Sequence, residues 1–320
     1  MALLYTGDSL IKLIRDSGMI PDVASQGTAD ADLLDHVNYC MHSEILPEIM
    51  KFKEEYFLIR ERVSLTATKQ RVPSRAISNR IRSLHLNDGT SNTPITQIDR
   101  NDIDTFSNNA TTSPWAFYIE GNHIVFHPDI AAGSGYSSDI SYYFRPGDVK
   151  LLADVRKVDA VNPDTKSITL NSPAPSAWTT ADKFDIHSGD SGGEIHEWSL
   201  SATTVSSTTI VVTTEIDGSV FGRYPVAVGD YVCLEGDAAL PGVPREAHPA
   251  LGQAALCRVL LALGDHDNLN IQISKLKKMI DDFSVLFNAR IESHPKIINN
   301  RGSIMATTRG LGRRSNSFSR

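Results

Sequence analysis

The feature that most constrains this chain is a double change in the spacing of its apolar residues. Up to residue 62 they recur at helical intervals: Leu10, Leu13 and Ile14, then Leu34, Val37, Met41 and Ile45, then Ile49, Phe52 and Tyr56. From 63 to 243 the period shortens to two, with Val, Ile, Thr and aromatic residues alternating with polar ones. From 244 to 298 the helical interval returns. A helix-period pattern does not form strands, nor the reverse, so three structural segments are expected, followed by a tail at 299–320. The predicted fold class is α+β. In it the N- and C-terminal helices pack together as a helical bundle, a large β-rich insertion lies between them, and a flexible basic C-terminal arm follows.

Local signals refine this. Asp8 or Ser9 is predicted to cap the first helix and Gly18 to stop it; Gly27-Thr28 opens a longer one that Pro47 should kink or divide. Trp115 to Phe126 reads as two strands joined at Gly121-Asn122. Ile140, Tyr142 and Phe144 alternate with Ser141, Tyr143 and Arg145 and stop at Pro146-Gly147. The stretches 155–186 and 200–234 each hold a strand pair and a late acidic-aromatic strand. They suggest a duplicated small β unit, with convergence of short strand patterns as the alternative. Pro249 starts a helix through Leu251, Ala255, Val259 and Leu263 that Gly264 ends. Asn268 or Asn270 caps the next, with Ile273, Leu276, Ile280, Phe283, Leu286 and Phe287 inward and Pro295 as its stop.

At 320 residues the chain is near the length where one core gives way to two, and no disulfide or metal staple is needed. The three cysteines, Cys40, Cys233 and Cys257, are widely spaced, which fits reduced thiols in a protein folded in a reducing cytosol. No basic segment followed by an apolar run opens the sequence, and no stretch is long and apolar enough to span a bilayer; neither signal-peptide secretion nor membrane insertion is expected. The net charge is −7, unevenly spread. Residues 301–320 hold five arginines and no acid, so residues 1–300 carry 26 basic against 38 acidic residues, a net of −12. An acidic body with a basic arm suggests two different surfaces to meet.

Gly189-Asp190-Ser191-Gly192-Gly193 reproduces the residues around the nucleophile of chymotrypsin-like serine proteases. A nucleophilic serine needs a histidine to take its proton and a carboxylate to orient that histidine. No Ala-Ala-His-Cys box lies upstream, His123 and His127 sit in a predicted hairpin, and His187 is too close in sequence to Ser191. Asp-Ser-Gly-Gly is also ordinary turn chemistry, and a surface turn is the expectation. His36 and Cys40 are one helical turn apart, but their neighbours read as packing rather than metal ligation. Asp281-Asp282 and Glu54-Glu55 read as solvated helix faces. No phosphate-cradling loop occurs, and neither catalytic residues nor cofactors nor metals are expected.

Several stretches together resemble the head-to-tail connector (adaptor) proteins of tailed phages. Ile49–Phe57 is similar to an early helix of that family running into its first strand; Arg71–Ile77, Trp115–Tyr118 and Tyr142–Pro146 are similar to strands of its β region. Val243–Pro249, with its Pro-x-Glu-x-His start, leads into Cys257–Asp265 and resembles the family's C-terminal helix pair. The resemblance implies a non-enzymatic virion protein of the neck, assembled in the bacterial host cytoplasm. It implies a homo-oligomeric ring, a dodecamer, docked on the portal protein and meeting tail or neck proteins. DNA would pass through without specific binding, since an acidic lumen repels phosphate. The basic tail is then a portal-docking arm: Arg301, Arg309, Arg313, Arg314 and Arg320 offer rigid donor forks for carboxylates, and Ile304, Met305, Leu311 and Phe318 anchor it. Alternatives are a tail-tube or terminator subunit, a serine hydrolase using Gly189–Gly193, and a carbohydrate-binding decoration protein. The last would need an aromatic-lined groove, for which only Trp115, Trp178 and Trp198 are at hand.

Overall fold

The computed structural model describes residues 5–21, 28–65, 68–103, 116–130, 135–189 and 193–287. β-structure dominates it. The expected α+β layout, a helical bundle carrying a β insertion, is therefore corrected. The strands form a seven-stranded sheet and a closed six-stranded barrel, each with its own apolar core. The helices do not close a bundle core alone. Their shared core takes in Phe57, Val149 and Val243 from the connections to the strands.

Helix α1 spans Gly7–Gly18, capped by Thr6, whose hydroxyl accepts from the Ser9 N–H, rather than by Asp8 or Ser9. Helix α2 spans Asp30–Cys40 and passes through a π-turn, Met41–Ile45, into α3, Leu46–Lys53. The run is thus divided into two α-helices just ahead of Pro47. The Leu46 N–H reaches back to the Met41 carbonyl, and Pro47 falls in the first turn of α3, where its missing donor costs least. Helix α4, His248–Leu263, is buried almost all round, between α1, α2 and the last helix, and ends with Gly264 left-handed at φ +76°. Helix α5 spans His266–Phe287; Asp265, not Asn268 or Asn270, bonds its first-turn amide at Asn268. Phe283 faces the core, but Leu286 is 68% exposed and so departs from its expected inward position. The helices are tied to the strands through α2: the Asn38 side chain donates to the Val149 carbonyl and accepts its N–H.

The sheet comprises β1 (Leu58–Ser64), β2 (Lys69–Arg71), β3 (Ala76–Asn87), β4 (Asn92–Gln97), β5 (Ala116–Glu120), β6 (His123–His127) and β7 (Ser137–Phe144), in the order β1-β7-β3-β4-β5-β6-β2. The hairpin read from the sequence is present: β5 and β6 pair antiparallel around Gly121, at φ +59°. The strand ending at Phe144 is central, between β1 and β3, so its polar positions Ser138, Asp139 and Ser141 are buried as well. Asp139 is satisfied there by a two-pronged bond from Arg62.

A short parallel pair, β8 (Asp148–Val149) with β15 (Asp237–Ala238), brackets the barrel strands β9 (Arg156–Asn162), β10 (Ser167–Leu170), β11 (Lys183–His187), β12 (Ile195–Val205), β13 (Thr209–Val212) and β14 (Tyr231–Leu234). The barrel order is β10-β13-β12-β11-β14-β9. Exchanging β9-β10-β11 with β12-β13-β14 maps this order onto itself. The registers agree as well. Ile168, Thr169 and Leu170 face Val161, Ala160 and Val158; Ile210, Val211 and Val212 face Val205, Thr204 and Ala202, with the irregularity at the same place. Ile168 and Ile210 face each other where the halves meet. The two similar stretches thus form two equivalent halves of one barrel.

The halves differ in one respect that matters. The connection from β13 to β14 is longer than that from β10 to β11, and its extra residues reach the sheet. Gly222 lies so close to the Arg60 carbonyl of β1 that a Cβ would sit 2.0 Å from that oxygen. Phe221 lies under the Arg62 guanidinium, and Arg223 enters the junction to bond the buried Glu197. A second tie is the ion pair from Arg75 to Asp185, a carboxylate with no exposed surface that also accepts from the Ser199 and Gly236 amides. Removing one partner of a buried pair costs about 3–5 kcal/mol, because the other charge is left unpaired. Asp185→Ala is therefore expected to lower the unfolding free energy by about that amount, whereas Lys157→Ala, on an exposed barrel position, should change it by less than about 0.5 kcal/mol. Urea denaturation of the two variants checks this.

Candidate functional site

The loudest sequence motif sits where the barrel meets the rest of the chain. Asp190, Ser191 and Gly192 lie outside the described residues; the two flanking glycines are placed. A Cβ on Gly189 would come 2.1 Å from the Gly229 carbonyl oxygen, and one on Gly193, at φ +92°, 2.5 Å from that of Pro241. Close backbone approach accounts for both glycines without any role in an oxyanion hole.

Two histidines lie near this turn. His187 is buried, and both its ring nitrogens face backbone carbonyls: Nδ1 that of Gly193 at 3.4 Å and Nε2 that of Asp237 at 3.0 Å. Burial lowers its pKa. His196, which sequence reasoning passed over, pairs through Nδ1 with Asp230 at 3.0 Å. The hydrogen bond to Asp230 raises its pKa above 6.5. Asp230 in turn accepts from the Gly189 and Ala227 amides. Burial pushes its carboxyl up, but these bonds and His196 outweigh it and hold the pKa below 3.8. The pair is a clamp joining the 189 turn, β12 and the entry to β14.

The other sequence candidates are dispersed. His36 and Cys40 share α2, but Cys40 is fully buried beside Glu44 and its thiol is pushed up to about 12, chiefly by burial. Among the described residues no cluster of three or more His, Cys, Asp or Glu could hold a metal ion. Glu54 pairs with Arg80 and Arg82, and Asp281 and Asp282 are exposed on α5. His123 and His127 lie on β6, as read. Trp178 is packed on Phe184 in the barrel core, and Trp115 lies outside the described residues. The tail residues Arg301, Ile304, Met305, Arg309, Leu311, Arg313, Arg314, Phe318 and Arg320 also lie outside them.

Clefts flank the junction. One, about 660 Å³, is lined by Tyr56, Phe57, Phe144, Trp198, Phe221 and Tyr224. Trp198 carries the Arg223 guanidinium over its ring at 3.7 Å. Beside it burial raises the Glu197 carboxyl to about 7, against the pull of Arg223. Another, about 430 Å³, lies between β1 and β2. Sequence reasoning missed this junction because Asp185 and Glu197 sit on strands where an acid reads as a solvent-facing position. Such an arrangement locks sheet and barrel together through buried ion pairs.

The His196–Asp230 clamp has a definite pH signature. A histidine whose folded pKa is raised contributes stability that is fully present below its unfolded value of 6.5 and is lost as pH climbs through the folded value. His196→Ala should cost about 1–3 kcal/mol at about pH 6 and clearly less at about pH 8.5. Thermal or urea unfolding of both proteins at the two pH values measures the difference.

The comparisons with known proteins follow this architecture. No curated protein matches the chain. The sequence pattern described as SU10 adaptor protein matches residues 9–182, more than half of the chain, from α1 through the sheet and into the barrel. The Val243–Asp265 stretch, part of the expected resemblance, lies beyond the match. No helix among the described residues is long and apolar enough to cross a membrane. The family pattern, running through the N-terminal helices and all seven strands of the sheet, places this chain in the SU10 adaptor protein family, whose members are phage adaptor proteins of the virion.

Proposed function

We propose that this chain is the ring-forming subunit that docks on the portal and joins head to tail around the DNA channel. The observation that carries the reading is the family match over 9–182. Charge supports it. Residues 1–300 carry a net −12, and a lumen of that sign lets DNA slide without the counterion release that a basic channel would trade for binding. A ring built from identical acidic bodies repels itself in free solution and needs a template, which the portal supplies. The basic tail is the proposed docking element, its five arginines meeting carboxylates on the portal, and a dodecamer is the proposed assembly.

The purified protein should sediment mainly as a monomer at low micromolar concentration and form rings once portal is added; a stable ring without portal would contradict templating. Deleting residues 301–320 should leave the melting temperature of the body unchanged and abolish attachment to DNA-filled heads. Truncated protein that still joins heads and seals them against DNA leakage would show that the arm is not the docking element.

A further inference from the structure

The seven-stranded sheet curls so that its two edge strands, β1 and β2, line one cleft without pairing with each other. Hydrogen bonding fixes which backbone groups face that cleft. The Leu65 N–H bonds the Tyr136 carbonyl, so in the antiparallel ladder with β7 the positions 65, 63, 61 and 59 point toward β7. Arg62 and Ser64 therefore turn their N–H and C=O groups the other way. On β2, the Val72 N–H bonds the Asn122 carbonyl and the Phe126 N–H bonds the Thr68 carbonyl. Positions 72, 70 and 68 thus face β6, and Lys69 and Arg71 face outward. Among the described residues no hydrogen bond reaches the main-chain groups of these four positions. Upstream on β1 the edge is closed by Gly222 against the Arg60 carbonyl. The opening thus has a strand edge on either side that no described residue satisfies.

We infer that this gap is a strand-addition site that takes an extended, acidic segment of a partner protein. Strand edges recruit a guest through main-chain bonds, and the side chains around them choose it. Here the cleft is lined by Lys69, Arg71, Arg75 and Lys183, with Glu61 as its carboxylate. Lys69 and Arg75 are already paired with Glu120 and Asp185, and Glu61 accepts from the Tyr142 hydroxyl at 3.0 Å. Arg71 and Lys183 are exposed and, among the described residues, have no ion partner. Two free cations over an open edge repel the same edge of a second copy and attract a guest bearing carboxylates at alternate positions. The inference does not depend on the neck reading.

The test uses the full chain and a labelled eight-residue peptide alternating glutamate and threonine. Fluorescence anisotropy should show it binding at least about tenfold more tightly than the lysine-threonine counterpart or an acidic peptide with proline at alternate positions. Hydrogen exchange should show the amides of Arg62, Ser64, Lys69 and Arg71 becoming protected. Ser64→Pro removes an outward donor and leaves the β7 ladder intact, and it should reduce affinity at least about tenfold. The double variant Arg71→Glu, Lys183→Glu leaves the backbone untouched and should reverse the preference toward the lysine peptide. Equal binding of the proline-containing acidic peptide, or displacement by a single-stranded oligonucleotide without amide protection, would mean a general anion surface and overturn the inference. So would failure of the acidic peptide to bind.

Discussion

The buried carboxylate of Asp185 is the interaction on which the rest of this structure depends. It lies on a barrel strand, yet its partner Arg75 belongs to the turn that leads into β3 of the sheet. The Ser199 and Gly236 amides complete its shell, from β12 and from the turn before β15. One anion therefore fixes the sheet's entry turn, a barrel bulge and the link back toward the helices. Apolar contact alone would let a barrel and a sheet slide over each other. A charged group needing three particular donors allows one arrangement, because any other leaves it buried and unpaired. The Glu197–Arg223 pair adds another tie between barrel and sheet, with Arg223 also donating to the Trp198 carbonyl at 2.6 Å. Trp198 itself belongs to the core of the sheet while its strand belongs to the barrel.

These ties explain how a chain with equivalent barrel halves becomes directional. The barrel's two halves share pairings and registers, so neither presents a face of its own. The long β13–β14 connection breaks the equivalence and delivers Phe221, Gly222 and Arg223 to β1. Direction matters for an adaptor, which must meet one neighbour with one end and a different neighbour with the other.

Much of the fold was legible wherever a local rule decided it. Gly121-Asn122 fixed a hairpin because few residues tolerate the backbone that turn needs, and Gly264 marked the end of α4 for the same reason. The family resemblance was legible in the helices and strands up to Pro146. What could not be read is non-local. Closure of the barrel pairs β9 with β14 and β10 with β13, across connections no local pattern encodes. The β segment therefore looked like an insertion when it is the larger part of the described structure. The burial of Asp185 and Glu197 was not legible because alternation shows which side of a strand a residue takes, not what covers that side. At Pro47 the pattern signals a division but does not reveal that it takes the form of a π-turn.

The central claim is that this adaptor occupies the neck of the virion, between portal and tail. A cryo-electron microscopy map of the intact particle, with the barrel and the curled seven-stranded sheet fitted into it, tests this most directly. The account predicts density for both bodies in a ring against the portal, with the channel lined by acidic side chains. Density matching this fold along the tail tube or on the capsid surface, with another protein seated on the portal, would contradict it.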